Sequence, residues 1–157
     1  MKELGTCKNR KIVWIDYQDL LKGEMPNGDW VCLATSSDEK PDMDTFDHFT
    51  RLAITNKILV FQGHGLLGEF LHDLFDETIV GLEVLEGWVI PFISTTWHND
   101  ESLASAFWFS IYNAAAAMEA ETNNPITVVV TSLDQKDFSD EFTGYLSQFN
   151  AGWIPED

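Results

Sequence analysis

The sequence predicts a single α/β domain, a three-layer sandwich in which helices cover both faces of a mainly parallel sheet of about five strands. Short, continuously apolar segments alternate with longer amphipathic ones, a pattern typical of parallel strands buried on both faces. No linker, repeat or low-complexity tract divides the 157 residues, and about 100–200 residues is a usual length for one domain. We therefore expect a flavodoxin-like or Rossmann-like architecture over residues 1–157.

The first half of the chain gives three strands and one helix. Lys11–Tyr17 is β-branched and aromatic, as strands are, and the turn signal Pro26-Asn27-Gly28 precedes a second apolar strand at Trp30–Thr35. Residues Met43–Thr55 carry apolar side chains at helical spacing, which predicts a helix. Lys57–Gln62 is short and continuously apolar, and we expect it to be the third strand.

The segment after the third strand is harder to interpret. Gly63-His64-Gly65 predicts a turn into a helix over Leu66–Phe75. Thr78–Leu85 and Trp88–Thr95 both have the composition of strands. Pro91 lies inside the second of these and cannot donate a backbone hydrogen bond, so it implies an edge position or a bulge. Irregular or antiparallel pairing is therefore expected at residues 78–95.

The last third predicts a long helix, a strand and a final helix. The helix over Glu101–Glu119 is apolar nearly all round, which is typical of a helix that is sandwiched or faces a partner. Its candidate partner-facing side chains are Trp108, Phe109 and Tyr112. Ile126–Thr131 is the last buried strand, and the final helix begins at Asp137 or Ser139 and ends at Phe149.

Charge is the most unusual property of the sequence. Nine Lys and Arg stand against 26 Asp and Glu, a net charge of −17, and residues 58–135 contain no Lys or Arg. Such a field repels phosphate backbones and anionic membranes, so direct nucleic-acid binding and membrane binding are not expected. A basic protein is the natural complement. The alternatives are an acidic surface that only maintains solubility, and a nucleic-acid mimic whose carboxylates imitate phosphates.

Ligands of open α/β sheets bind at the carboxyl ends of the strands. If the sheet is parallel, five polar residues at those ends converge on one rim and form the candidate rim site. They are Asp16, His64, His98, Asp100 and Glu101. The simpler alternatives are a tight strand-to-helix turn around His64, a loop position for His98, and helix-capping roles for Asp100 and Glu101.

Signatures of known chemistry are missing from the sequence. It has no GxSxG elbow, Walker lysine, GxGxxG loop or metal-ligand spacing, and Cys7 and Cys32 do not form a CxxC pair. No catalytic residue, cofactor or metal is therefore predicted. An acidic set recurs at helical spacing and could hold a divalent cation, although a solvated helix face explains it more simply. Its members are Glu69, His72, Asp73 and Asp76.

The start of the sequence lacks the apolar core of a signal peptide, and no apolar run is long enough to span a bilayer. These two features predict a cytoplasmic protein with reduced thiols. Cytoplasmic placement fits a chain with two cysteines that have no recognisable framework.

Residues 95–109 (TTWHNDESLASAFWF), together with HDLFDETIVG upstream, resemble small uncharacterised bacterial proteins. That group carries a TTWH-(Asp/Asn)-Asp-Glu-Ser-Leu motif followed by a Trp-Phe pair. The resemblance covers part of the chain and implies a compact α/β domain of bacterial or phage origin, without a known activity. The positions that match the motif are His72, Asp73, His98, Asp100 and Glu101.

Two classes of function fit these observations. The prediction is a non-enzymatic binding module of the immunity, inhibitor or accessory-subunit type, which meets a basic protein. The alternative is a small enzyme or ligand sensor that uses the strand-end rim. Since no Lys or Arg stands at the strand ends from residue 58 to residue 135, a phosphate-rich small ligand is the least suited to that rim.

Overall fold

The computed structural model describes residues 1–156, which form a six-stranded sheet covered by helices on both faces. The strands are β1 (Lys2–Cys7), β2 (Arg10–Trp14), β3 (Trp30–Ser36), β4 (Ile58–Gly65), β5 (Ser94–His98) and β6 (Thr127–Ser132). The helices are α1 (Tyr17–Leu21), α2 (Met43–Thr55), α3 (Gly68–Leu85), α4 (Leu103–Phe109), α5 (Ala116–Thr122) and α6 (Ser139–Asn150). A π-helical segment, Ser110–Ala115, joins α4 to α5.

The strand order is β1-β2-β6-β3-β4-β5. Strands β2 to β6 are mutually parallel, and β1 is antiparallel to β2 at the edge. The predicted fold class, an α/β protein with a mainly parallel sheet, is confirmed. The sheet has one strand more than predicted, β1, which is formed by the polar residues before the first predicted strand. An edge strand needs to bury little of its surface, so it lacks the apolar run by which inner strands are recognised.

Two hydrophobic clusters place the helices. One cluster joins α1, α2 and α3 to one face of the sheet, and the other joins α4, the π-helical segment and α6 to the opposite face. The chain therefore leaves β2 and β6, which are neighbours, toward opposite faces. The same is true of β4 and β5. Where neighbouring strands lead to opposite faces, a crevice forms at their carboxyl ends, and in open α/β sheets binding sites usually lie in such crevices.

The prediction of two strands within residues 78–95 is wrong, whereas the irregular structure expected in this region is present at residues 86–93. Thr78–Leu85 is the second half of α3, and no regular strand begins between Leu85 and Ser94. The buried positions Leu71, Phe75 and Leu82 continue one helical stripe across the predicted break. Burial of that stripe outweighs the weak strand preference of the β-branched residues. β5 pairs in parallel with β4, and residues 86–93 are irregular.

The long helix predicted over residues 101–119 is instead built from three consecutive pieces that end at Thr122. Its central six residues are π-helical, a geometry that is rare and frequently found at functional positions. The final helix, α6, begins at Ser139, which is one of the two predicted starts, and ends at Asn150, one residue beyond the predicted end. Within residues 1–156 no helix is both long enough and apolar enough to cross a bilayer.

Candidate functional site

The crevice between β4 and β5 contains a buried polar network. His64 and His98 are register partners on these two strands and are 9% and 5% exposed. Gln62 lies two residues before His64, so it shares the face of β4 that meets α4. Glu101 follows β5 in the loop before α4. The structure thus brings together three of the five rim residues predicted from the sequence.

The imidazole of His98 is held by three neighbours. Its Nδ1 donates to a carboxylate oxygen of Glu101 at 2.8 Å. Its Nε2 accepts from the hydroxyl of Thr96 at 3.0 Å and from the amide of Gln62 at 3.2 Å. Because a carboxylate can only accept, these contacts fix the tautomer with the proton on Nδ1. The ring also packs against Phe109, with centroids 4.9 Å apart.

The other side chains of the network are also hydrogen-bonded within the protein. The hydroxyl of Ser110 donates to Oε1 of Gln62 at 2.6 Å, which ties the π-helical segment to β4. Nε2 of His64 donates to the backbone carbonyl of Glu101 at 2.9 Å, and its Nδ1 lies 2.9 Å from the hydroxyl of Thr35. All four imidazole nitrogens therefore have partners within the protein, and the network fastens the β5–α4 loop to the sheet.

The order of Glu101, His98 and Thr96 is carboxylate, imidazole, hydroxyl, which is the order that activates a nucleophile in covalent catalysis. Here Nε2 of His98 accepts from two donors at once, and the imidazole is nearly closed to solvent. A substrate has little access to such a base. The geometry fits a structural clamp better than a catalytic centre.

The two remaining predicted rim residues lie apart from this network. Asp16 follows β2, which is three strand spacings from β4, or about 14 Å. Its carboxylate accepts a hydrogen bond from the indole of Trp14 at 2.9 Å. Asp100 is exposed in the turn after β5. The rim is therefore divided, with the histidines at one end and Asp16 at the other.

Asp16 borders a second feature, a cleft of about 430 Å³ between the carboxyl ends of β2 and β6. Four carboxylates and one lysine line it, together with a serine and the aromatic rings of Trp14 and Tyr17. The polar residues of the lining are Asp16, Gln18, Asp19, Ser132, Asp134, Gln135, Lys136 and Asp137. Of these residues, sequence reasoning placed only Asp16 in the candidate rim site, because the pairing of the strands and turns that carry the others is not visible in the linear pattern. The six-residue run from Ser132 to Asp137 after a buried strand was the signal that could have found them.

Within this cleft, the carboxylates differ in how far their neighbours satisfy them. Asp134 accepts from the backbone amide and the hydroxyl of Ser37 at 2.8 and 3.0 Å. The hydroxyl and backbone amide of Ser139 lower the pKa of Asp137 below its usual value. Among residues 1–156, the carboxylate of Asp19 has no hydrogen-bond partner. The hydroxyl of Ser132 is likewise buried without one.

The acidic set that recurs at helical spacing in the sequence lies on α3. His72 contacts the carboxylates of Asp73 at 2.9 Å and Asp76 at 3.4 Å, and its ring meets the edge of Trp97 at 4.6 Å. Trp97 lies on the edge strand and is 50% exposed. In the described chain no group of three His, Cys, Asp or Glu residues is placed to hold a metal ion.

The candidate partner-facing side chains of α4 and the π-helical segment are half-buried. Trp108 stacks on Tyr112 with centroids 4.7 Å apart, and both pack against the core on that side of the sheet. The hydroxyl of Tyr112 lies 3.4 Å from Sγ of Cys7, and this contact together with burial raises the tyrosine pKa to about 12. Burial raises the pKa of the Cys32 thiol to about 12 as well, so that thiol is inert.

The exposed apolar residues lie elsewhere. Six of the eleven large apolar side chains that the structure leaves exposed fall between residues 80 and 97. They are Val80, Val84, Leu85, Val89, Phe92 and Trp97. Sequence reasoning missed this surface because it placed Thr78–Leu85 and Trp88–Thr95 in strands of the sheet.

Comparison with known protein families gives a match. A family model described as "Domain of unknown function (DUF7684)" matches residues 14–149. That range begins at the end of β2 and continues through nearly all of α6, so it contains the buried network, the cleft and the exposed apolar residues. A search of the curated proteins finds no match.

Proposed function

We propose that this chain, which belongs to the family described as "Domain of unknown function (DUF7684)", is a non-enzymatic protein-binding module for a basic partner. The observation that carries the proposal is a surface on which exposed acids and exposed apolar side chains adjoin, with no cation of its own. We call it the 69–97 surface. It comprises the outer face of α3, the irregular segment 86–93 and Trp97. An immunity, inhibitor or accessory-subunit role fits such a module.

The outer face of α3 supplies the acids. Glu69, Asp73 and Glu77 are exposed and are followed on the same face by Val80 and Val84, since the spacings are four, four, three and four residues. The face therefore changes from acidic to apolar along the helix. A basic partner with an apolar patch is complementary to both halves.

The apolar half extends beyond the helix. Val89 is 97% exposed and Phe92 is 82% exposed in the segment between α3 and β5. Leaving such side chains in water is costly, and a concentration of them on a folded domain marks an interaction surface. β5, which follows, is the edge strand of the sheet, so its outer side also offers backbone groups to a partner strand.

The 69–97 surface has no Lys or Arg of its own, and the ammonium of Lys40 lies over the ring of Phe70, 4.7 Å from its centroid. Residues 58–135 contain no Lys or Arg. The nearby guanidinium of Arg51 is already committed to Glu86 at 2.6 Å and to Asp47 at 2.7 Å. Glu69, Asp73 and Glu77 are thus left to attract a basic partner, and electrostatic steering raises its association rate.

The buried network argues against the enzymatic alternative at the histidines. Its imidazole nitrogens are all occupied by protein partners, and its polar groups point into the domain. A catalytic base has to reach a substrate proton within hydrogen-bond distance. The clamp described above leaves no such approach at His98.

The test is affinity capture with matched variants, performed at about 50 and 300 mM salt, a range that shortens the Debye length from roughly 14 to 6 Å. The acid variant is Asp73→Asn with Glu77→Gln, and the apolar variant is Val89→Ser with Phe92→Ser. The control is Glu141→Gln with Asp140→Asn, which removes the same charge from exposed positions on α6.

We expect one basic protein to be retained by the wild type and the control at low salt. The acid variant should bind the purified partner about tenfold more weakly than the wild type at low salt. The difference should be much smaller at 300 mM salt, because salt screens the electrostatic attraction that the substitutions remove. The apolar variant should bind more weakly at both salt concentrations. Equal retention by all variants, or the capture of acidic proteins only, would refute the proposal.

A further inference from the structure

The cleft between β2 and β6 is a second site with a different chemistry. We propose that it binds a guanidinium group, as carried by an arginine side chain or by a free small guanidine compound. The inference goes beyond the proposed function. The cleft lies at the opposite end of the strand order from β5, and the proposal does not depend on a partner at the 69–97 surface.

The location of the cleft favours a ligand. β2 leads into α1 on one face of the sheet and β6 leads toward α6 on the other, so the loops diverge and leave a crevice at the strand ends. Its volume of about 430 Å³ lies in the range of small-molecule sites, about 300–1,000 Å³. Trp14 and Tyr17 provide apolar walls for an alkyl stem.

The charge of the lining selects a cation. Asp16, Asp19, Asp134 and Asp137 outnumber Lys136, whose ammonium lies 4.8 Å above the ring of Phe138. These carboxylates are not clustered tightly enough to hold a metal ion within the described chain. Acceptors spread around a wide cleft suit a planar cation with several divergent donors, which is the geometry of guanidinium.

Ser132 gives an independent indication of a ligand. It lines the cleft and is 2% exposed, yet its hydroxyl has no hydrogen-bond partner among residues 1–156. Buried polar groups are nearly always paired, and an orphan hydroxyl at a cleft wall is an acceptor for a missing donor. Asp19 supplies the charged acceptor, since its carboxylate makes no hydrogen bond to the rest of the described chain. Together they offer one neutral and one anionic acceptor.

The test is a titration of the full chain with N-acetyl-arginine amide, followed by two-dimensional NMR at about 50 mM salt. The neutral control is N-acetyl-citrulline amide, which has the same shape without the charge. A second arm uses agmatine, which represents a free small guanidine compound. The protein variants are Asp19→Asn and Ser132→Ala, and the matched control is Glu77→Gln on α3, which removes the same charge far from the cleft.

We expect shifts confined to residues 16–19 and 132–137 with the arginine probe and none with citrulline. Asp19→Asn should weaken binding about tenfold and Ser132→Ala about fivefold, while Glu77→Gln should leave it unchanged. Tighter binding of the arginine amide identifies a protein side chain as the source, and tighter binding of agmatine identifies a free guanidine compound. Either supports the site.

Three results would overturn the proposal. One is the absence of shifts in the cleft. Another is binding of citrulline as strong as that of arginine, since the site would then not recognise charge. The third is unchanged affinity in both cleft variants when their spectra show a folded protein. Glu77 belongs to the 69–97 surface and Asp19 belongs to the cleft. A negative result for guanidinium binding therefore does not affect the interpretation of the affinity-capture experiment.

Discussion

At the scale of single residues, the buried network is the most demanding feature of the molecule. Gln62 and Ser110 are fully buried, and each relies on the other for a hydrogen bond at 2.6 Å. His64, His98 and Glu101 were predicted from the sequence to lie near strand ends. The sequence did not indicate that Gln62 and Ser110 belong to the network, because they are 48 residues apart and their hydrogen bond becomes apparent only in the fold.

Ser110→Ala tests the importance of this network to stability. The substitution leaves the buried carbonyl of Gln62 without its donor, and we expect the free energy of unfolding to fall by about 2 kcal/mol. Urea denaturation measures the loss. The exposed Ser147→Ala on α6 is the control and should change stability by less than about 0.5 kcal/mol. A neutral Ser110→Ala would show that the hydroxyl is dispensable.

Asp137 predicts a pH dependence. Its pKa is lowered by the hydroxyl and backbone amide of Ser139, so it stabilises the fold above its unfolded pKa of about 3.9. That contribution is lost as the pH falls through the lower, folded pKa. Asp137→Asn should therefore lower Tm at pH 7, and the difference from the wild type should shrink as the pH falls below the unfolded pKa of about 3.9. A difference that stays constant with pH would contradict this role for the carboxylate.

At the scale of elements, α3 shows both what sequence patterns predict and where they fail. Its first half was predicted from the apolar spacing. Its second half was assigned to a strand because Thr78–Leu85 is rich in β-branched residues. Tertiary burial of Leu82 on the same stripe as Leu71 and Phe75 decides the outcome. Local strand and helix propensities do not reveal this buried stripe, because its burial depends on where the sheet lies relative to α3.

Two glycines of α3 give a matched test of packing at its start. A Cβ at Gly68 would lie 2.6 Å from Oδ1 of Asn99 and 2.7 Å from the carbonyl oxygen of Gly63, whereas a Cβ at Gly81 would meet nothing within 4 Å. Gly68→Ala should destabilise the protein by about 2 kcal/mol despite the better helix propensity of alanine. Gly81→Ala should stabilise it by about 0.5–1 kcal/mol.

Chemical denaturation of the two variants measures both effects under identical conditions. Equal behaviour of the two variants would mean that β4 and α3 are not packed as closely as described. The comparison isolates packing because both substitutions add the same methyl group to the same helix.

At the scale of the whole molecule, the net charge of −17 dominates. Only nine cationic side chains oppose 26 acids, and several are already paired, as Arg10 is with Glu119 and Arg51 with Glu86. The unpaired carboxylates repel one another and destabilise the compact state. This property was fully predictable from composition, whereas the distribution of the charge over α3 and the cleft required the fold.

Added salt should therefore stabilise the protein. Screening of the repulsion between carboxylates is expected to raise Tm by about 4 °C between 50 and 500 mM sodium chloride, despite weaker ion pairs. Differential scanning calorimetry measures the change. A Tm that falls with salt would mean that the ion pairs outweigh the repulsion, and the view of α3 as an uncompensated acidic surface would fail.

The central claim is that the 69–97 surface binds a basic protein. Hydrogen exchange of this chain, free and in complex with its captured partner, tests it most directly. The account predicts slower exchange in α3, in residues 86–93 and in β5 upon binding, with β1 and α6 unchanged. Protection confined to β1, α6 or the cleft, with the 69–97 surface exchanging as in the free protein, would contradict the claim.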